Sequence, residues 1–96
     1  MDHARVLDMK RSAIRALVAR FRAANPRLFG SVLHGTHKVG SDIDILVDAM
    51  PGATLFDLGG LQVELEDLLG CSGDLVTPRD LPAQIRSGVL AEARPI

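Results

Sequence analysis

From Asp42 to Asp48 the chain alternates strictly, with Ile43, Ile45 and Val47 on one phase and Asp42, Asp44, Leu46 and Asp48 on the other. A period of two belongs to a β-strand, because successive side chains leave opposite faces of the pleat. This segment is therefore predicted to be a strand with one buried face and one face carrying acid. Residues two apart on such a face lie about 6 to 7 Å from each other along the backbone. Asp42 and Asp44 thus present two carboxylates in one direction, and like charges at that spacing repel unless a cation sits between them.

The remaining periodicities fit around that strand. Leu7, Ile14, Leu17, Val18 and Phe21 recur at helical spacing over about residues 5 to 22, with Asn25-Pro26 as the stop. Arg11, Arg15 and Arg22 fall mostly off the apolar stripe, as a solvated face or as a docking surface for an acidic partner. Leu28-Phe29 reads as a short strand ending at Gly30-Ser31, and residues 35–41 as a glycine-punctuated loop. Pro51-Gly52 is a turn, and Thr54 with Asp57 resembles a capping box. Leu58, Leu61, Leu65 and Leu68 mark the buried stripe of a helix that Gly70 ends. Gly59 and Gly60 inside it suggest close backbone packing, since each costs about 1 kcal/mol relative to alanine. Asp74 to Thr77 is a third strand stopped by Pro78, and residues 82–93 form a last helix with Ile85, Val89 and Leu90 on one side. The 96 residues fit one domain, spanning 1–96.

Composition narrows the function. The chain is 47% hydrophobic, enough for one thin core, and its net charge of −1 gives no electrostatic footprint for nucleic acid. A role on a long template is disfavoured, and no direct nucleic-acid contact is expected. No apolar run approaches the ~20 residues that span a bilayer. Residues 1–11 lack the apolar centre of a secretory signal, and the single Cys71 suits a reducing compartment, so a cytoplasmic location is expected. There is no Trp or Tyr, and only Phe21, Phe29 and Phe56 are aromatic, which leaves little for stacking a nucleobase.

Hard oxygen ligands on a rigid strand, with positions left open for water or phosphate, suit magnesium. An Asp-x-Asp pair alone also occurs on solvated strand faces. The preceding Gly30-Ser31 turn adds a second element: glycine lets the backbone approach a ligand, and the following N–H groups and the Ser31 hydroxyl can hold phosphate oxygens. A third carboxylate would come from a neighbouring strand. Asp74 opens the other suitable one, unless it is simply a strand-entry aspartate in water.

Gly30-Ser31, ten intervening residues and Asp42-Ile43-Asp44 resemble the signature of the polymerase-beta-type nucleotidyltransferase superfamily. The flanking segments Leu28 to Ser31, Gly35, Ser41 to Asp48, Pro51 to Leu58 and Asp74 to Pro78 resemble its minimal nucleotidyltransferase (MNT) subfamily, over roughly residues 5 to 93. That subfamily supplies the antitoxin of bacterial pairs whose toxin is a HEPN-type protein. The resemblance implies an α/β (α+β) fold: one small nucleotidyltransferase domain, with a mixed sheet of about three to four strands packed against helices. It implies transfer of AMP from ATP to a hydroxyl, a tyrosine of the toxin, within a hetero-oligomer. Asp42 and Asp44 would ligate two Mg2+ ions, and Asp74 would complete the inner metal site and help deprotonate the hydroxyl. Gly30 and Ser31 would hold the β and γ phosphates, with His34, Gly35, Lys38 and Ser41 also on the nucleotide.

The chain departs from the subfamily at His34, where an arginine is usual. Histidine is mostly neutral at pH 7 and offers no forked cation to phosphate. Lys38 either compensates from the same loop or is an ordinary exposed lysine. An alternative is therefore an antitoxin of weak or absent activity that neutralises its toxin by binding alone. A P-loop is excluded because Gly30-x4-Gly35-Thr36 lacks the lysine. His34, His37 and Cys71 lack the paired spacing of a zinc site.

Overall fold

The computed structural model describes residues 9–30, 43–70 and 72–96. The elements run α1 (Arg11–Arg20), β1 (Ala23–Phe29), β2 (Ile43–Ala49), α2 (Leu55–Leu69), β3 (Gly73–Val76), a 3-10 turn (Pro78–Asp80), α3 (Ala83–Glu92) and β4 (Arg94–Pro95). Among the described residues four strands form one sheet in the order β3-β2-β1-β4. β1 is antiparallel to both β2 and β4, and β2 is parallel to β3, so the sheet is mixed, as expected.

The alternation in β2 decides where the core lies. Ile43, Ile45 and Val47 are buried and pack with Ile14 and Val18 of α1 and with Leu61, Leu65 and Leu69 of α2. Leu58 and Leu68 are partly buried against the same cluster, and Leu69 joins the stripe read from the sequence. The opposite face of β2 is not wholly polar. Leu46 is fully buried there, the 3-10 turn packs against β2, and Leu81 just beyond it is buried too.

The first helix ends earlier than Asn25-Pro26 suggests. Arg22 takes a left-handed conformation (φ 60°), α1 stops at Arg20, and β1 already runs through Asn25 and Pro26. Those two residues form a β-bulge instead of a helix stop. The pairing shifts between Ala24↔Asp48 and Arg27↔Leu46, so two residues of β1 oppose Val47 alone. Asn25 tolerates its φ of 55° better than a branched residue would, and a bulge can house a proline that cannot donate to the ladder. The Asn25 amide and the Arg27 guanidinium both reach the Asp48 carboxylate, at 3.2 and 2.6 Å.

The arginines off the α1 stripe are exposed, as a solvated face would be, and two of them also bond to the last two residues of the chain. Arg15 Nε donates to the Ile96 carbonyl at 2.8 Å and Arg11 Nη1 to that of Pro95 at 3.3 Å, while Ile96 N donates to Pro26 O at 2.9 Å. These bonds hold β4, a strand with no sequence signal of its own, against β1 and bury the Ile96 side chain. The last helix is present, but its apolar side is not covered: none of its residues is buried, and Ile85 and Leu90 are exposed.

The capping box on α2 forms as read. Thr54 Oγ1 accepts from Asp57 N at 3.2 Å, and Asp57 Oδ2 accepts from Thr54 N at 2.9 Å. Gly70 ends the helix in the left-handed conformation at φ 72°. The two inner glycines differ. A Cβ on Gly60 would lie 2.8 Å from the Phe21 ring, whereas one on Gly59 would meet nothing within 4 Å.

Two stability measurements check this account. Thr54→Ala should lower the unfolding free energy by about 1 kcal/mol, which for a domain this size is a fall of roughly 4–8 °C in Tm. Gly59→Ala should raise stability by about 0.5–1 kcal/mol, because only the backbone entropy changes. Gly60→Ala should lower it by about 1–3 kcal/mol through the clash with Phe21. Equal effects of the two alanines in denaturant titration would contradict the packing described.

Candidate active site

The parallel register of β2 and β3 places Asp44 directly beside Asp74. Adjacent strands lie about 4.8 Å apart and paired residues share a face. The two carboxylates therefore stand together on the face away from α1 and α2, next to the ends of their strands. Asp44 is half-buried and Asp74 is exposed. Across β1 the row continues with Phe29, the partner of Asp44.

Gly30 follows Phe29 at φ 79°, a conformation that favours glycine. A Cβ placed on it would sit 2.2 Å from Asp44 Oδ2 and 3.1 Å from Asp44 Cγ. The glycine thus creates the space in which the Asp44 carboxylate lies against the end of β1. Two distant sequence features, Gly30 and the acidic strand, are brought into contact by strand pairing.

Glu66, from the last turn of α2, reaches the same region from the other side of the sheet. Its Oε2 accepts a hydrogen bond from Gly73 N at 3.1 Å, one residue before Asp74. A small cleft lined by Ile43, Leu65, Glu66, Gly73, Asp74 and Leu75 separates α2 from the β3 edge.

Asp44, Asp74 and Gly30 are thus assembled at one end of the sheet. Ser31, His34, Gly35, Lys38, Ser41 and Asp42 lie outside the described residues, as does Cys71. Asp48, the last acid of the alternating strand, belongs to the opposite end, where Arg27 and Asn25 hold it. Sequence reading missed two residues here. Phe29 is flagged by its position before the glycine once the pairing of β1 with β2 is known. Glu66 could have been noticed because a carboxylate in the last helical turn opposes the helix macrodipole and calls for a compensating donor.

The donor set suits a hard divalent cation. Asp44 and Asp74 offer carboxylate oxygens from two rigid strands, and Gly30 keeps the neighbouring space free of side-chain carbon. Among the described residues no helix is long and apolar enough to cross a membrane.

The nucleotidyltransferase domain model matches residues 10–96. The chain is 35% identical over 86 residues to a candidate protein adenylyltransferase, MJ0435, of Methanocaldococcus jannaschii, covering 90% of this chain and 91% of that one. It is 40% identical over 73 residues to the protein adenylyltransferase MntA of Thermococcus cleftensis, covering 76% and 74%. A solved structure of a candidate minimal nucleotidyltransferase superposes with a TM-score of 0.88 at 42% identity, covering 100% of this chain and 97% of that one. Among more distant solved structures that share the fold is a tri-AMPylated Shewanella oneidensis HEPN toxin in complex with its MNT antitoxin. There the TM-score is 0.67 at 22% identity, covering 92% of this chain and 69% of that one. Another is a toxin–antitoxin complex with AMP-PNP, with a TM-score of 0.65 at 24% identity, covering 99% and 72%. With a family model spanning nearly its whole length, and Gly30 and Asp44 of its sequence signature meeting beside Asp74 at one sheet end, the chain belongs to the nucleotidyltransferase domain family.

Proposed function

We propose that this chain, as a single domain, is a cytoplasmic Mg2+-dependent protein adenylyltransferase. It would act as an antitoxin by transferring AMP from ATP to a tyrosine hydroxyl of a HEPN-type toxin. The observation that carries the reading is Asp44 lying in register with Asp74, with Gly30 clearing the space beside them. Relatives named as protein adenylyltransferases and fold neighbours seen in toxin–antitoxin complexes, one with AMP-PNP, support the nucleotide and the partner.

In this reading Asp42 and Asp44 hold Mg2+ and Asp74 completes the inner site. Bound magnesium would neutralise phosphate charge and stabilise the attacking and leaving oxygens of an in-line displacement. The chain's own residues supply the rest. Gly30 and Ser31 hold the β and γ phosphates through backbone N–H groups and the Ser31 hydroxyl, and His34, Gly35, Lys38 and Ser41 complete the nucleotide's surroundings. Asp74 accepts the proton of the incoming hydroxyl, whose oxygen bonds to the α phosphorus as the α–β bridging P–O bond breaks. Pyrophosphate leaves and AMP stays on the acceptor. Fold neighbours seen in toxin–antitoxin complexes support an acceptor carried by another molecule, so a hetero-oligomer is part of the proposal.

Transfer of label from α-labelled ATP to a HEPN-type partner tests the reading directly. Asp44→Asn and Asp74→Asn should each lower the rate by about 100-fold or more, as loss of a group acting on transition-state charge does. Capture of the partner by wild type and variants alike, with labelling by none, would instead leave a binding-only antitoxin. Gly30→Ala should also abolish labelling, because its Cβ would displace the Asp44 carboxylate. It should cost about 1–2 kcal/mol of stability through the left-handed backbone, read from denaturant midpoints. A fully active Gly30→Ala protein would remove Gly30 from the site.

A further inference from the structure

We propose that Glu66 is a positioning residue for Asp74: its carboxylate fixes the entry of β3 and so sets the second carboxylate of the site. The proposal rests on the role given to Asp74 above, and adds a residue from α2 that lies in none of the sequence motifs.

Glu66 grips the α2–β3 connection at both ends. Its backbone carbonyl accepts from Gly70 N at 2.8 Å, closing the helix. Its side chain accepts from Gly73 N at 3.1 Å, opening the strand. One residue therefore fixes the span over which the chain leaves the helix and joins the sheet. β3 is an edge strand with β2 as its neighbour. Ile43 N donates to Ser72 O at 3.2 Å. In a parallel ladder of that register, Asp74 turns its N–H back toward β2 and Gly73 turns its own to the open edge. Among the described residues no further strand lies on that side of β3, and Glu66 supplies the acceptor.

Gly73 leaves no slack in the other direction. A Cβ there would come within 3.2 Å of the Ile43 carbonyl oxygen, so backbone lies against backbone. The strand entry is thus held between Ile43 on one side and Glu66 on the other, and the next residue is Asp74. A carboxylate is poorly placed at a helix C-terminus for the helix itself, and no basic residue occupies the last turn of α2 to offset it. The Lys10 ammonium donates to the Leu68 carbonyl at that terminus, and the hydrogen bond from Gly73 N gives the Glu66 carboxylate itself a donor.

The test compares the effects of reach and charge. Glu66→Asp keeps the charge but falls one methylene short of Gly73 N, whereas Glu66→Gln keeps the length and an acceptor oxygen but removes the charge. Mn2+ binding in the presence of AMP-PNP, followed by paramagnetic resonance, reports the metal site without turnover. Glu66→Asp should weaken Mn2+ by about ten-fold, as loss of an orienting hydrogen bond behind a metal ligand does, while Glu66→Gln should match wild type. Asp74→Asn is measured alongside. If it weakens Mn2+ while Glu66→Asp does not, Glu66 has no positioning role. If Asp74→Asn binds Mn2+ as wild type does, the reading of Asp74 fails and this proposal fails with it. Weak binding by Glu66→Gln with normal binding by Glu66→Asp would make the charge itself the agent, and would also overturn the proposal. Hydrogen exchange provides a check in the unaltered protein: the Gly73 amide should be protected although it faces the open sheet edge, and rapid exchange there would overturn the proposal without any variant.

Discussion

The pairing of β2 with β3, residue for residue from Ile43↔Gly73 to Leu46↔Val76, is the constraint on which the rest depends. It is a parallel pairing, so it requires a crossover connection, and α2 is that connection. The same helix supplies Leu61, Leu65 and Leu69 to cover the apolar phase of β2. Burial therefore fixes which phase of β2 faces the helices, and the pairing then fixes what the other phase meets. Asp44 meets Asp74 because Ile45 must be buried beside Leu75. The placement of two like charges side by side follows from hydrophobic packing on the opposite face of the same sheet.

Much of this was legible in the chain. The alternation of residues 42–48 announces both a strand and the sidedness of its acids, and Thr54, Asp57 and Gly70 mark the ends of α2 through local bonding rules that need no tertiary context. The contact of Gly30 with Asp44 was anticipated only as two motifs at a fixed spacing, since a motif does not reveal that strand pairing will bring its parts within van der Waals distance. Leu46 could not be assigned to a buried position, because its cover comes from a segment around Leu81 that carries no periodicity. β4 is two residues long and held by Arg11, Arg15 and Pro26 O, which are side-chain and backbone groups remote in sequence. The arginines are exposed as a solvated face would be, and their bonds to the last two residues are an addition that helical periodicity does not reveal. Asn25-Pro26 misled for a general reason: both residues favour interruptions of regular structure, and a bulge interrupts a strand as a stop interrupts a helix.

The two ends of β1 carry different burdens. At one end Ala23 is buried under α1, and Asn25 and Arg27 hold Asp48. At the other, Gly30 stands against Asp44. Paired flat from Ala24 onward, the same residues would set Leu28 against Asp44 and drive Arg27 against Ile45, into the core. The extra residue at Asn25-Pro26 prevents this by shifting the pairing by one position between the two ends.

That offset makes the bulge a place where chain length and site geometry are decoupled. Removing one residue there would let β1 pair flat and still leave Leu28 opposite Ile45 and Phe29 opposite Asp44, since the lost residue is the one the bulge had absorbed. Removing one residue anywhere between Arg27 and Gly30 would turn every later side chain to the wrong face. Within a single seven-residue strand, tolerance to a deletion therefore changes from permissive to prohibitive over two positions, and anyone shortening, grafting or recombining this domain has one joint at which to do it.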